Sequence, residues 1–235
     1  MTPRLFVDHA FAAGDTLALP AGASRHVQVL RLQPGAALTL FNGRGGEWSA
    51  QVVAMGRSRV DVQVGAHDPV ERELAVRVTL AIGMPANERM DGLIEKATEL
   101  GVAEVRPLLC ERSVLRLAGE RAQKKVEHWR GVAIAASEQC GRTRVPRIGD
   151  VTSLREALSG LGEGPRFVLS LRDAVAFRPG ADIASAVFLS GPEGGLTEPE
   201  EAAARAAGFV PVSLGARTLR ADTAPLAALA AMALA

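Results

Sequence analysis

The hydrophobic period of the sequence changes near residue 74, and that change constrains the fold more than any other feature. Up to about residue 72 the apolar residues fall in short runs with period-two alternation, at 5–7, 27–30, 37–41, 47–53 and 60–64. Alternation of that kind is the mark of half-buried strands, and turn signals such as Gln33-Pro34-Gly35 and Asn42-Gly43-Arg44-Gly45-Gly46 separate the runs. This part therefore predicts a small antiparallel β-barrel. From residue 74, strand-like runs at 77–82, 102–109, 167–171, 186–189 and 209–214 alternate with longer helical patterns. Met90, Leu93, Ile94, Ala97 and Leu100 form one helical stripe that Gly101 stops, and Val126, Trp129, Val132, Ala133 and Ala136 form another. Strands alternating with helices predict an α/β domain with a mostly parallel sheet. The polar, proline-containing stretch 68–73 reads as a linker, which divides the chain into domains 1–72 and 73–235.

Three segments of the second domain are dense in glycine, arginine and hydroxyls: 190–197, 214–223 and 136–147. The first leaves a strand and enters a helix, where Thr197 and Glu200 form a capping box with Pro199 in the first turn. A glycine-rich turn in that position suggests a phosphate cradle. Glu193 inside the turn argues against phosphate, and Leu196 and Thr197 stand where a triphosphate loop needs lysine and a hydroxyl. The loops 190–197 and 214–223 both open at strand C-terminal ends, where open α/β sheets bind ligands. Backbone glycines there can approach a flat adenine ring, so the ligand that fits carries adenosine and a positive sulfur but no phosphate. S-adenosylmethionine meets that description, and no metal is required.

A net charge of +1 does not announce a nucleic-acid partner, so such a partner must rest on local clusters. Of the 27 basic residues 24 are arginine, a side chain suited to bidentate phosphate contacts. Arg142, Arg144 and Arg147 fall within six residues without an acid among them. No apolar run reaches the roughly 18 residues of a membrane span, and the N-terminus lacks a signal-peptide core, so a cytoplasmic protein is expected. Cys110 and Cys140 make neither a disulfide framework nor a zinc pattern and read as reduced thiols. The C-terminal stretch 224–235 is apolar nearly all round and must be covered on more than one face. Burial between the sheet and a second copy of the chain predicts a homodimer, with burial inside one monomer as the alternative.

The segments 84–91, 95–102, 111–113, 136–146, 190–196 and 214–220 resemble, in this order and spacing, the bacterial ribosomal small subunit methyltransferase E family of the SPOUT superfamily. The resemblance spans nearly the whole chain. It implies an α/β fold class in which an N-terminal PUA-like β-barrel precedes a SPOUT domain with a deep trefoil knot. It also implies S-adenosylmethionine-dependent methylation of N3 of one uridine in 16S ribosomal RNA of the small subunit. On this resemblance Leu169, Leu171, Leu189, Gly191, Gly194, Gly195, Leu214, Gly215 and Leu219 are expected to hold the cofactor. Methyl transfer to N3 needs the N3 proton removed while the reactants are held in line. Arg217 and Arg220 could steady negative charge on the uracil oxygens, and Glu193, Asp222 or Glu138 could receive the proton. Arg4, Arg25, Arg31, Arg89, Arg112, Arg142 and Arg144 are the candidates for RNA contact, with His26 reading as a packed residue. The family pattern Leu-Arg-Thr-Glu-Thr appears here as Leu219-Arg-Ala-Asp-Thr223, and Ala86 stands where a basic residue is usual. Two other readings follow from the residues: a non-catalytic RNA-binding protein, and a phosphate-binding nucleotide enzyme that Glu193 and the missing lysine disfavour.

Overall fold

A computed structural model describes residues 2–162, 164–180 and 183–234. The chain forms two compact units, residues 1–73 with 137–145, and 74–136 with 146–235.

The first unit contains β1 (Arg4–Phe6), β2 (Thr16–Ala18), α1 (Ala21–Val29), β3 (Ala37–Phe41), β4 (Glu47–Met55) and β5 (Val60–Asp68). Its five-stranded sheet has the order β1-β3-β4-β5-β2. The antiparallel expectation needs one correction, since β1 runs parallel to β3 while the other neighbours are antiparallel. In β4 the pleat puts Ala50 and Val52 inside and Ser49, Gln51 and Val53 outside. The inward residues join Leu5, Leu38, Leu40, Val60, Val62 and Val64 in one core. Residues 27–30, expected as a strand, lie instead on α1 and its C-terminal cap. Pro20 precedes the helix with φ −53, and the Ser24 hydroxyl donates to the Leu19 carbonyl at 3.0 Å. Ser24 and Val27, three residues apart, form the buried face, and Val29 is 72% exposed.

Residues 137–145 were expected within the α/β domain, but they group with the first unit. Charge explains the attachment. Arg142 pairs with Glu73, Arg144 Nε donates to Glu71 at 2.7 Å, and the Thr143 hydroxyl donates to the same Glu71 carboxylate. The Glu138 carboxylate accepts the Phe6 N–H at 2.9 Å.

The second unit contains β6 (Arg77–Gly83), α2 (Asn87–Glu99), β7 (Glu104–Leu109), α3 (Gly119–Cys140, whose last turn belongs to the first unit), β8 (Arg147–Ile148), β9 (Thr152–Ser153) and α4 (Leu154–Ala157). It continues with β10 (Arg166–Leu169), β11 (Val175–Ala176), β12 (Ser185–Ser190), α5 (Glu198–Ala206), β13 (Val210–Ser213) and α6 (Thr223–Ala233). The sheet order is β11-β13-β10-β12-β6-β7-β8, with β9 also pairing β7. Every pairing in it is parallel. Central strands β6 and β12 are buried almost end to end, as a sheet covered on both faces requires. Met90, Leu93, Ile94 and Ala97 of α2 are sealed from solvent, and α6 packs on α2, β6 and β12.

Candidate active site

Three adjacent parallel strands, β13, β10 and β12, end on the same edge of the sheet, and the loops that follow them meet around one cavity of about 560 Å³. That volume lies within the usual range for small-molecule sites, and strand C-terminal ends are where open parallel sheets place them. The loop after β10 contributes Leu169, Ser170, Leu171 and Arg172. The loop after β12 contributes 190–196, and the loop after β13 contributes Leu214 and 217–221. Arg89 on α2 and Arg112 beyond β7 complete the wall.

The 190–197 loop is shaped by its glycines. A Cβ on Gly191 would lie 2.7 Å from the Leu196 nitrogen and 2.9 Å from the Gly195 carbonyl carbon, inside the loop's own backbone. Gly195 has φ +68, a left-handed conformation that glycine adopts without strain. The loop closes into α5 through the capping box: Thr197 Oγ1 accepts from the Glu200 N–H, and Glu200 Oε2 accepts from the Thr197 N–H at 2.9 Å. The other Glu200 oxygen accepts the Glu111 N–H at 2.7 Å, which ties the loop after β7 to the start of α5. Arg112 then reaches the Gly194 carbonyl at 2.9 Å.

Glu193 does not point into open solvent alone. Its Oε1 accepts the Ala86 N–H at 2.9 Å and sits 3.4 Å from Arg89 Nη1, so it holds the N-terminus of α2 beside the cavity. Its second oxygen makes no hydrogen bond among the described residues. Arg217 and Arg220, on the loop after β13, have no carboxylate partner among the described residues. Cys110 packs beneath the loop, and burial, together with the nearby Glu200 charge, pushes its thiol up to about 12. It is no nucleophile near neutral pH.

Of the expected cofactor residues, Leu169, Leu171, Gly191, Gly194, Gly195, Leu214 and Leu219 line the cavity. Leu189 and Gly215 do not. Leu189 is sealed in the core as a β12 side chain, and Gly215, at φ +113, serves the turn after β13. Arg217, Arg220, Glu193, Arg89 and Arg112 all reach the cavity wall. Glu138 belongs to the first unit and does not line the cavity, and neither does Asp222, whose Oδ1 is buried without a hydrogen-bond partner among the described residues.

Arg4 and Arg142 must be withdrawn as RNA contacts. Their side chains are only 9% and 5% exposed and are spent on Glu47 and Glu73. Arg144 is half exposed but paired with Glu71, whereas Arg25 and Arg31 are exposed without acidic partners among the described residues. Sequence reasoning missed Arg172 and Glu201 as lining residues, whereas Ser170 and Thr218 fall within the stretches 169–171 and 214–219 that the resemblance assigned to the cofactor loops. The signal for Glu201 was present, because an acid stands on the buried face of an amphipathic helix.

Residues 72–233 match the family model of the RNA methyltransferase domain, and residues 19–65 match that of the RNA methyltransferase PUA domain. A ribosomal RNA small subunit methyltransferase E from Synechocystis is 34% identical over 98% of this chain and 77% of its own length. The chain belongs to the ribosomal RNA small subunit methyltransferase E family. A second methyltransferase E relative, from Bacillus subtilis, is 32% identical over 88% of this chain and 84% of its own. The crystal structure of the Neisseria gonorrhoeae methyltransferase E bound to S-adenosyl methionine matches with a TM-score of 0.95. It is 37% identical and covers 99% of this chain and 97% of its own. The first unit is thus a PUA-like domain and the second a parallel-sheet SPOUT methyltransferase domain.

Proposed function

We propose that the chain binds S-adenosylmethionine in the cavity and methylates N3 of one uridine in 16S ribosomal RNA of the small subunit. The observation that carries this reading is the meeting of three loops, rich in glycine and leucine, at the C-terminal ends of adjacent parallel strands, with five arginines around the cavity, three of them on these loops. The donor set suits the cofactor. Leu169, Leu171, Leu214 and Leu219 offer apolar side chains for an adenine ring, and Gly191, Gly194 and Gly195 bring loop backbone to the cavity wall. When bound, the cofactor supplies a methyl group on a positively charged sulfur.

The remaining work falls to the chain's own residues. Arg217 and Arg220, free of carboxylate partners among the described residues, steady the negative charge that grows on the uracil oxygens as N3–H is lost. Glu193, fixed by Ala86 and Arg89 through one oxygen, presents the other to the N3 proton. Arg89, Arg112 and Arg172 line the same wall and favour a polyanion. The target uridine leaves its stack to enter, as base-modifying enzymes generally require. Arg25 and Arg31 of the PUA-like unit grip RNA phosphates. Knotted threading of the chain through the three loops belongs to the same reading.

The chain also acts as a homodimer in this reading. α6 buries Pro225, Ala228, Leu229 and Met232, yet its other sides carry Leu226, Ala227, Ala230, Ala231 and the exposed Leu234. A second copy is the partner that would cover them. Titration calorimetry with S-adenosylmethionine and with ATP tests the cofactor assignment. The proposal requires binding of the first and none of the second, and the reverse pattern overturns it.

A further inference from the structure

We infer that Glu201 is a ligand of the cofactor's ribose hydroxyls, an assignment that rests on the S-adenosylmethionine reading and extends it. Glu201 lies on the face of α5 that also buries Ala204, is only 7% exposed, and lines the cavity. A carboxylate on the buried face of an amphipathic helix breaks the local pattern, and such breaks are tolerated where a group has work to do.

Its two oxygens have different surroundings. Oε1 accepts the Ser170 hydroxyl at 2.8 Å and Arg205 Nη2 at 3.1 Å. The Ser170 oxygen in turn accepts the Arg172 N–H at 3.0 Å, and Arg205 Nη2 also donates to the Arg172 carbonyl at 2.8 Å. These bonds saturate Oε1 and fix the carboxylate on the corner after β10. Oε2 makes no hydrogen bond among the described residues and is not among the buried side-chain atoms left unsatisfied, so on this cavity-lining residue it keeps accessible surface and acceptor capacity.

The chemistry of Oε2 selects its ligand. Arg205 already offsets the negative charge, so what Oε2 offers is acceptor capacity rather than an uncompensated charge for an ammonium group. An ionised carboxylate accepts only, and a vicinal diol presents two donors to it. Dinucleotide folds use an acid for the same purpose. With the adenine taken by the leucine side chains and glycine backbone, the sugar attached to it is the diol within reach.

The test is a binding cycle with S-adenosylhomocysteine and its 2′,3′-dideoxy counterpart, measured by calorimetry on the wild type, Glu201→Ala and Glu201→Gln. Loss of a hydrogen bond to a charged group predicts that Glu201→Ala weakens S-adenosylhomocysteine about tenfold or more. The dideoxy ligand should bind wild type and variant alike. Equal weakening of both ligands, or of neither, overturns the assignment, the first outcome marking a role only in positioning Ser170. Ser170→Ala, which leaves the carboxylate in place, should retain the preference for the diol. A folded wild type that binds neither ligand removes the cofactor reading and this assignment with it. A wild type that binds both, with a flat cycle, removes Glu201 alone. If Glu201→Ala does not fold, Glu201→Gln carries the same comparison.

Discussion

Gly191 occupies a point where the loop after β12 leaves no room for a side chain, since a Cβ would meet the Leu196 nitrogen at 2.7 Å. Gly191→Ala should therefore lower affinity for S-adenosylmethionine by about tenfold or more while leaving the far-UV spectrum intact, which calorimetry and circular dichroism check together. Glu138 gives a second residue-scale expectation. Its burial pushes the carboxyl up despite the Phe6 N–H and the charges of His26 and Arg4, so the ionised form costs the folded state. The cost is absent below the ordinary carboxylate value of 4.5 and grows as pH rises past it. Glu138→Gln should then gain stability relative to wild type on going from pH 4 to pH 8, read from urea unfolding at each pH. Arginine was the residue type least legible in the sequence. Arg142 and Arg217 both sit in glycine- and hydroxyl-rich segments, yet only the fold shows that Glu73 takes the first while the second stays on the cavity wall. Partners 69 residues away cannot be read from a local pattern.

At the scale of elements, patterns with several agreeing signals survived and those with one did not. The apolar stripe of α2 with its Gly101 stop and the capping box of α5 with Pro199 in its first turn were both legible, because in each case two signals agree along one stretch. Residues 27–30 offered only the alternation Val27-Gln28-Val29, and tertiary burial of Ser24 and Val27 decided for a helix. The two-residue strands β8, β9 and β11 carry no periodicity to detect. The capping box has a measurable value. Thr197→Ala removes the side-chain acceptor of the Glu200 N–H and should cost about 1 kcal/mol. A thermal melt should show a lower Tm, and added S-adenosylmethionine should restore part of it.

For the whole molecule, the change of period near residue 74 falls beside the boundary between the two compact units at Leu74. It could not show that 137–145 returns to the first unit, since that attachment runs through ion pairs with residues 71–73. Assembly is tested at α6. Leu226→Arg places a charge among the apolar residues that the second copy is proposed to cover, and it should shift the solution mass from dimer to monomer in light scattering. An unchanged dimer mass in a folded variant would move the interface elsewhere. The most direct measurement is mass and reverse-transcription mapping of ribosomal RNA after incubating small subunits from a strain lacking this enzyme with the purified protein and S-adenosylmethionine. The account predicts one new methyl group, on N3 of a single uridine of 16S RNA, and its disappearance in Arg217→Ala or Arg220→Ala. A methyl group on another atom or another RNA, or none at all with a cofactor-binding protein, would contradict it.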